Sequence, residues 1–144
     1  MKNKQRELFT MKSMKDMKNK KRDFSELSHR VIGCAIEVHR TLGPGLLEST
    51  YQQCLSHEFH LNGIYFKSEY PLPVEYKGIQ LDCGYRIDFL VDNEIILELK
   101  NVEELKGIHE AQLLTYMKLA KIKQGFLINF NVKRLKDGLK SFVL

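Results

Sequence analysis

Two short apolar runs separated by Asp92-Asn93 make up Tyr85-Arg-Ile-Asp-Phe-Leu-Val-Asp-Asn-Glu-Ile-Ile-Leu-Glu-Leu-Lys100, and this segment restricts the fold more than any other. The runs read as strands, and Asp-Asn between them suits a tight reversal. Folding the chain back there sets Asp88 level with the end of the second run, near Glu98. Residues two apart on a strand share a face, so Glu98 and Lys100 project together while Leu99 points into the opposite layer. Two carboxylates and an ammonium therefore converge.

These residue types suit a divalent cation. Magnesium takes hard oxygen ligands, usually one or two carboxylates with waters and substrate phosphate, which Asp88, Glu98 and the backbone carbonyl of Leu99 can supply. A bound ion lowers the pKa of its water and neutralises phosphoryl charge, and Lys100 beside it orients the attacking water or takes its proton. Phosphodiester hydrolysis is the expected reaction class. The plainer reading is an exposed strand rim on which Glu98 and Lys100 pair weakly through solvent. Alone, D-x9-E-x-K is too short a pattern to decide.

At 144 residues and 43% apolar content, the chain suits one compact domain, taken as residues 23–144. No window approaches the roughly 18 apolar residues of a membrane span, and the amino terminus lacks the apolar core of a secretory signal. A cytoplasmic protein is expected, with no membrane partner. Cys34, Cys54 and Cys83 are odd in number and lack a C-x-x-C pair, so they read as reduced, buried small residues. Residues 1–22 hold nine Lys or Arg against Glu7 and Asp16, a surplus of +7 in a chain of net +5, which leaves −2 for the rest. Low hydrophobicity and high charge read first as a disordered leader; a DNA-tethering arm is the second reading. Met11, Met14 and Met17 leave open an upstream start, and the Arg and Lys content an organellar presequence.

Beyond the leader, Ser25-Glu-Leu-Ser-His opens a helix with Leu27, Val31, Ala35, Val38 and Leu42 at helical spacing, stopped by Gly43-Pro-Gly45. A second helix, from about Leu46 to Leu61, turns Leu47, Tyr51, Cys54, Leu55 and Phe59 inward and puts Glu48 in its first turn. There Glu48 is either an acid favoured by the helix dipole or a group reaching over a sheet edge to a shared metal. Tyr51 either packs in the core or hydrogen-bonds a carboxylate. Strands follow over 64–70, 72–76, 79–83, 85–91 and 94–100, then a helix over about 108–120 that sets Gln112 and Tyr116 four apart on one face. That pair is a capped surface pair or a contact for substrate phosphate or Lys100. A buried strand is expected over 125–130, and 135–144 is ambiguous. His57 and His60 lack a partner for zinc and read as surface residues; His109 either approaches phosphate or sits at its helix entrance. A phosphate loop is excluded by spacing, and no serine or cysteine nucleophile has support.

The segment Arg30 to Tyr51, with Gly45, Glu48 and Tyr51 in the eponymous spacing, resembles the GxxExxY family. Tyr85 to Leu105, His109 to Tyr116 and Leu127 to Gly138 look like the same family, so the resemblance covers about residues 25–144. It implies the PD-(D/E)XK nuclease superfamily, with a restriction-endonuclease-like α/β core whose central mixed sheet is flanked by helices. By resemblance Asp88 is the first acid, Glu98 the second, Lys100 the lysine and Glu48 the helix glutamate that completes the metal site. Gln112 and Tyr116 match the Q-x-x-x-Y element of RecB-like nucleases. Ile87 stands where the nominal motif has proline.

The sequence thus points to a nuclease using Mg2+ or Mn2+ on nucleic acid, DNA foremost, with metal ligands Glu48, Asp88, Glu98 and Leu99, substrate contacts from Gln112, Tyr116 and Tyr51, and pairing of two copies a possibility. The alternative is a nuclease-like module that binds nucleic acid or protein without cutting. Against that module stands the intact acid set, because like charges converge at a cost without a cation.

Overall fold

The computed structural model describes residues 25–144, and the basic leader lies outside the described residues. The chain runs α1 (Glu26–Leu42), α2 (Glu48–Leu61), β1 (Phe66–Pro71), β2 (Val74–Tyr76), β3 (Ile79–Leu81), β4 (Arg86–Val91), β5 (Ile95–Lys100), α3 (Gly107–Ala120), β6 (Gln124–Asn129), a 3-10 turn (Leu135–Gly138) and β7 (Leu139–Val143). Five strands form one sheet in the order β1-β4-β5-β6-β7. The β5–β6 pair is parallel and spans the α3 crossover, whereas the other neighbours are antiparallel. This is the mixed sheet flanked by helices that the sequence implied.

Ser25 caps α1, its hydroxyl accepting the Ser28 N–H at 3.1 Å. One face of the sheet, with Phe89, Val91, Ile95, Leu97, Leu99, Phe126 and Ile128, is covered by Val31, Ile32, Ala35 and Val38 of α1 and Tyr51, Leu55 and Phe59 of α2. On the other, Leu113, Tyr116 and Met117 of α3 pack over Leu90, Ile96 and Leu127. Because both faces are covered, β5 is apolar at nearly every position, and its acid stands out. Gly125 lies where α3 crosses β6: a Cβ there would stand 2.6 Å from the Met117 sulfur, so Met117 would have to move. Asp92 and Asn93 both take left-handed φ, 50° and 54°, and the Glu94 N–H closes the reversal on the Val91 carbonyl at 2.9 Å.

Several expectations are corrected. Leu47 is 71% exposed, because it caps α2 rather than joining its first turn, so the inward spiral begins at Tyr51. The segments read as strands over 72–76 and 79–83 shorten to β2 and β3, which form a separate two-stranded arm. Pro73 removes one N–H at the point of departure, and Lys77-Gly78 turns the arm at positive φ. Cys34 is buried, but Cys54 is half-buried and Cys83 lies exposed where the arm returns. The ambiguous tail is both a turn and a strand, its last five paired residues forming the β7 edge.

Candidate functional site

β4 and β5 pair at Val91↔Ile95, Leu90↔Ile96 and Phe89↔Leu97, and there the ladder stops. Beyond Phe89 the two acids take over from backbone carbonyls. The Leu99 N–H donates to Asp88 Oδ2 at 2.8 Å, and the Asp88 N–H donates to Glu98 Oε1 at 3.2 Å. Each acid is thus fixed through one oxygen and keeps another. On the far side of β5, the Lys100 carbonyl is taken by the Phe130 N–H at 3.0 Å. Along a strand, N–H and C=O of one residue leave on the same side, so the Leu99 carbonyl faces β4 where β4 no longer supplies a ladder partner.

Glu98 is only 5% exposed, and its pKa is pushed up to about 8, first by burial and then by the Asp88 carboxylate. Asp88 is raised too, chiefly by burial, although the Leu99 N–H favours its charged form. The Lys100 ammonium draws both acids partway back down. The Asp88 carboxylate adds to the burial that opposes ionisation of Glu98, a cost that a bound cation would offset. Across this pair stands Tyr116, 7% exposed, with its phenol raised by burial and by Glu98. Gln112 Nε2 donates to the Tyr116 hydroxyl at 3.1 Å, which leaves the Tyr116 proton for another acceptor.

Glu48 reaches the same end of the sheet from the opposite face, through the first turn of α2, and accepts the Asn101 N–H at 3.3 Å. Its charge acts on Asp88. Among the described residues, however, no three His, Cys, Asp or Glu side chains gather closely enough to hold a metal ion. The expected meeting of three acids is corrected accordingly: Asp88 and Glu98 meet, and Glu48 is held at the flank, one residue beyond Lys100.

Tyr51 is also corrected. It is fully buried and does not face substrate: its hydroxyl donates to the Gly43 carbonyl at 2.6 Å and accepts the Leu46 N–H at 3.1 Å, with its ring stacked on Phe130 at 4.4 Å. The Gly45-x-x-Glu48-x-x-Tyr51 spacing is therefore a structural device. Gly45 bends the loop at φ 97°, Tyr51 ties it down, and Glu48 is delivered to the sheet end. Replacing Tyr51 by phenylalanine strands two loop groups and is expected to cost about 1–3 kcal/mol in urea denaturation. A loss well under that range would mean that the loop is not held by this hydroxyl.

Two contributors escaped the sequence. Glu69 lies between Ser68 and Tyr70, which pair with Phe89 and Ile87, so register alone sets it beside Asp88, whose pKa it raises. Gln52 holds it from α2 at 3.1 Å. Asn129, 2% exposed and next to Lys100 across the parallel pair, bonds both the N–H and the carbonyl of Val102, at 3.1 and 2.8 Å. That amide fixes the chain as it leaves Lys100. A polar residue ending an apolar strand was its only signal. His57 and His60 are exposed, and His109 sits at its helix entrance, accepting the Lys106 N–H at 2.9 Å. The groove between α1 and α2, lined by Val38, Leu42, Cys54 and His57, contains none of Glu48, Asp88, Glu98 and Lys100.

Asp88, Glu98 and the Leu99 carbonyl fit a magnesium-type ion, being hard oxygens with two carboxylates among them. Such an ion would offset the charge of both carboxylates. A family model described as the PD-(D/E)XK nuclease superfamily matches residues 25–142, a span that includes every residue of the site. No curated protein and no solved structure matches the chain.

Proposed function

Since this chain belongs to the PD-(D/E)XK nuclease superfamily, a group of metal-dependent hydrolases of nucleic acid, we propose that it cleaves phosphodiester bonds of DNA with magnesium or manganese. Asp88, Glu98 and the Leu99 carbonyl would hold the ion, with the Glu48 charge standing at its flank. The observation that carries this reading is the opened β4–β5 ladder, where the buried Glu98 and half-buried Asp88 carboxylates replace backbone acceptors, with Lys100 two residues beyond Glu98 on the same strand. Structural ion pairs rarely bury like charges together, because the cost is recovered only when a cation is bound.

The ion, when bound, supplies the charge that activates water and neutralises the phosphoryl oxygens. Lys100, on the strand face of Glu98, would use its ammonium to orient the attacking water and offset phosphate charge, with the water's proton passing to solvent and a 5′ phosphate left as product. Tyr116, relieved of its own acceptor role by Gln112, donates its hydroxyl proton to a phosphate oxygen. The Gln112 and Tyr116 pair supports a RecB-like branch, and the loop device at Gly45, Glu48 and Tyr51 supports the GxxExxY family.

The test is cleavage by the purified full chain of single- and double-stranded DNA and of RNA, with magnesium, with manganese and with chelator. DNA products ending in 5′ phosphate, formed with either ion and absent with chelator, are expected. Tight binding without turnover under both ions would instead make the protein a binding module, and preferential cutting of RNA would overturn the choice of DNA.

A further inference from the structure

The sheet end that carries Asp88 and Glu98 is flanked on both sides by exposed residues the cleavage step does not use. On the β4 side the ladder continues past Arg86 through the Leu72 N–H, which bonds the Tyr85 carbonyl at 2.9 Å, and the chain then leaves as the β2–β3 arm. Tyr85, at the root of the arm, is 46% exposed, and its ring centroid lies 6.1 Å from that of Tyr116. An uncovered aromatic ring therefore stands one side chain away from the acids. Tyr76 and Ile79, a cross-strand pair on one face of the arm, are exposed as well and extend this surface outward.

On the β6 side, parallel pairing sets Asn129 beside Lys100. The chain that follows is tied to the exit of β5 by the Asn131 side chain, which donates to the Val102 carbonyl at 3.3 Å. Two residues on, Lys133 and Arg134 are exposed, and neither forms an ion pair among the described residues. Residues 23–144 carry net −2, so the body as a whole does not attract a polyanion, and phosphates must be gripped at local cations.

We propose that a single strand of nucleic acid lies across this end of the sheet, a base stacked on Tyr85 and neighbouring phosphates on Lys133 and Arg134. The substrate class is then single-stranded or unpaired DNA rather than intact duplex, an inference that rests on the hydrolytic reading above. Stacking on a protein ring needs a base with a free face, which a duplex buries and a single strand offers whatever its sequence. The ring stands at the β4 side of this sheet end and the cations follow the β6 side, in the loop whose Val132 carbonyl bonds His39 of α1 at 2.7 Å. A second copy of the chain covering the arm is the competing occupant. The arm's few apolar side chains offer on the order of a few hundred Å2, short of the roughly 1,000 Å2 of a stable interface.

The experiment uses the full chain carrying Lys100→Ala, to prevent turnover, and an oligothymidylate with one 2-aminopurine. Binding should quench the 2-aminopurine. Adding Tyr85→Ala should abolish the quench and weaken single-strand binding about tenfold while leaving duplex binding unchanged; Tyr85→Phe should preserve both. Replacing Lys133 and Arg134 together by alanine should lower the slope of log affinity against log salt by about 1.4. Equal losses on duplex and single strand, an unchanged salt slope, or a dimer in sedimentation that Ile79→Ser dissociates would each overturn the proposal. Cleavage by the unsubstituted chain is measured beside these. Cleavage without a Tyr85 effect sinks the strand path alone, whereas a chain that quenches the probe but never cuts sinks the hydrolytic reading.

Discussion

Lys100→Ala and Asp88→Asn are each expected to slow DNA cleavage about a thousandfold or more, with DNA binding retained. The two substitutions act on different parts of one arrangement. The asparagine amide oxygen can still accept the Leu99 N–H that now bonds Asp88 at 2.8 Å, so the splayed strands keep their connection and only a hard anionic ligand is lost. Removing Lys100 leaves both acids in place but takes away the cation that draws their pKa values down. Single-turnover cleavage at saturating protein separates these losses from weaker binding. Activity unchanged in both variants would refute the assignment of the site.

Glu98→Gln is expected to separate stability from function. In the metal-free chain the Glu98 carboxyl titrates near 8 when folded, against 4.5 as its ordinary value. At low pH both folded and unfolded chains hold the proton and nothing is lost. As pH rises between those values the unfolded chain releases its proton while the folded one keeps it, so stability falls, and the penalty is complete above about 8. The raised carboxyl of Asp88 adds to the fall with the same sign. Glutamine cannot ionise and can still accept the Asp88 N–H, so the variant should melt higher than the parent at alkaline pH, by roughly 5 °C or more, with little difference near pH 4. Manganese should raise the parent's melting temperature and leave the variant's almost unmoved. Melts with chelator across this pH range read the effect. A variant that loses stability with pH as steeply as its parent would show that Glu98 is not the group being forced to ionise. Cleavage should vanish in the variant even where it is the more stable protein.

Much of this site was legible because its parts are close in sequence. Asp92-Asn93 announces the reversal, and alternation then places Asp88, Glu98 and Lys100. The point at which β4 and β5 part was not legible, since no residue type marks where a ladder gives way to side-chain acceptors. Glu69 and Asn129 became neighbours of the site through strand pairing alone, which periodicity within one segment does not report. For Tyr51 the core-packing reading holds and the substrate contact does not: its helical face was evident, but the path of Gly43 to Leu46 back over its hydroxyl was not. Pro73 and Lys77-Gly78 marked interruptions, yet they did not say that the chain between them leaves the main sheet as an arm. Resemblance supplied Glu48, and the structure assigns it a place at the edge of the site rather than at its centre.

The central claim is that a divalent ion is held between the Asp88 and Glu98 carboxylates. Crystals of the full chain soaked in manganese test it most directly. The account predicts an anomalous peak within about 2.0–2.3 Å of carboxylate oxygens of both residues and of the Leu99 carbonyl. A peak elsewhere, or a chain that takes up no manganese, would contradict it.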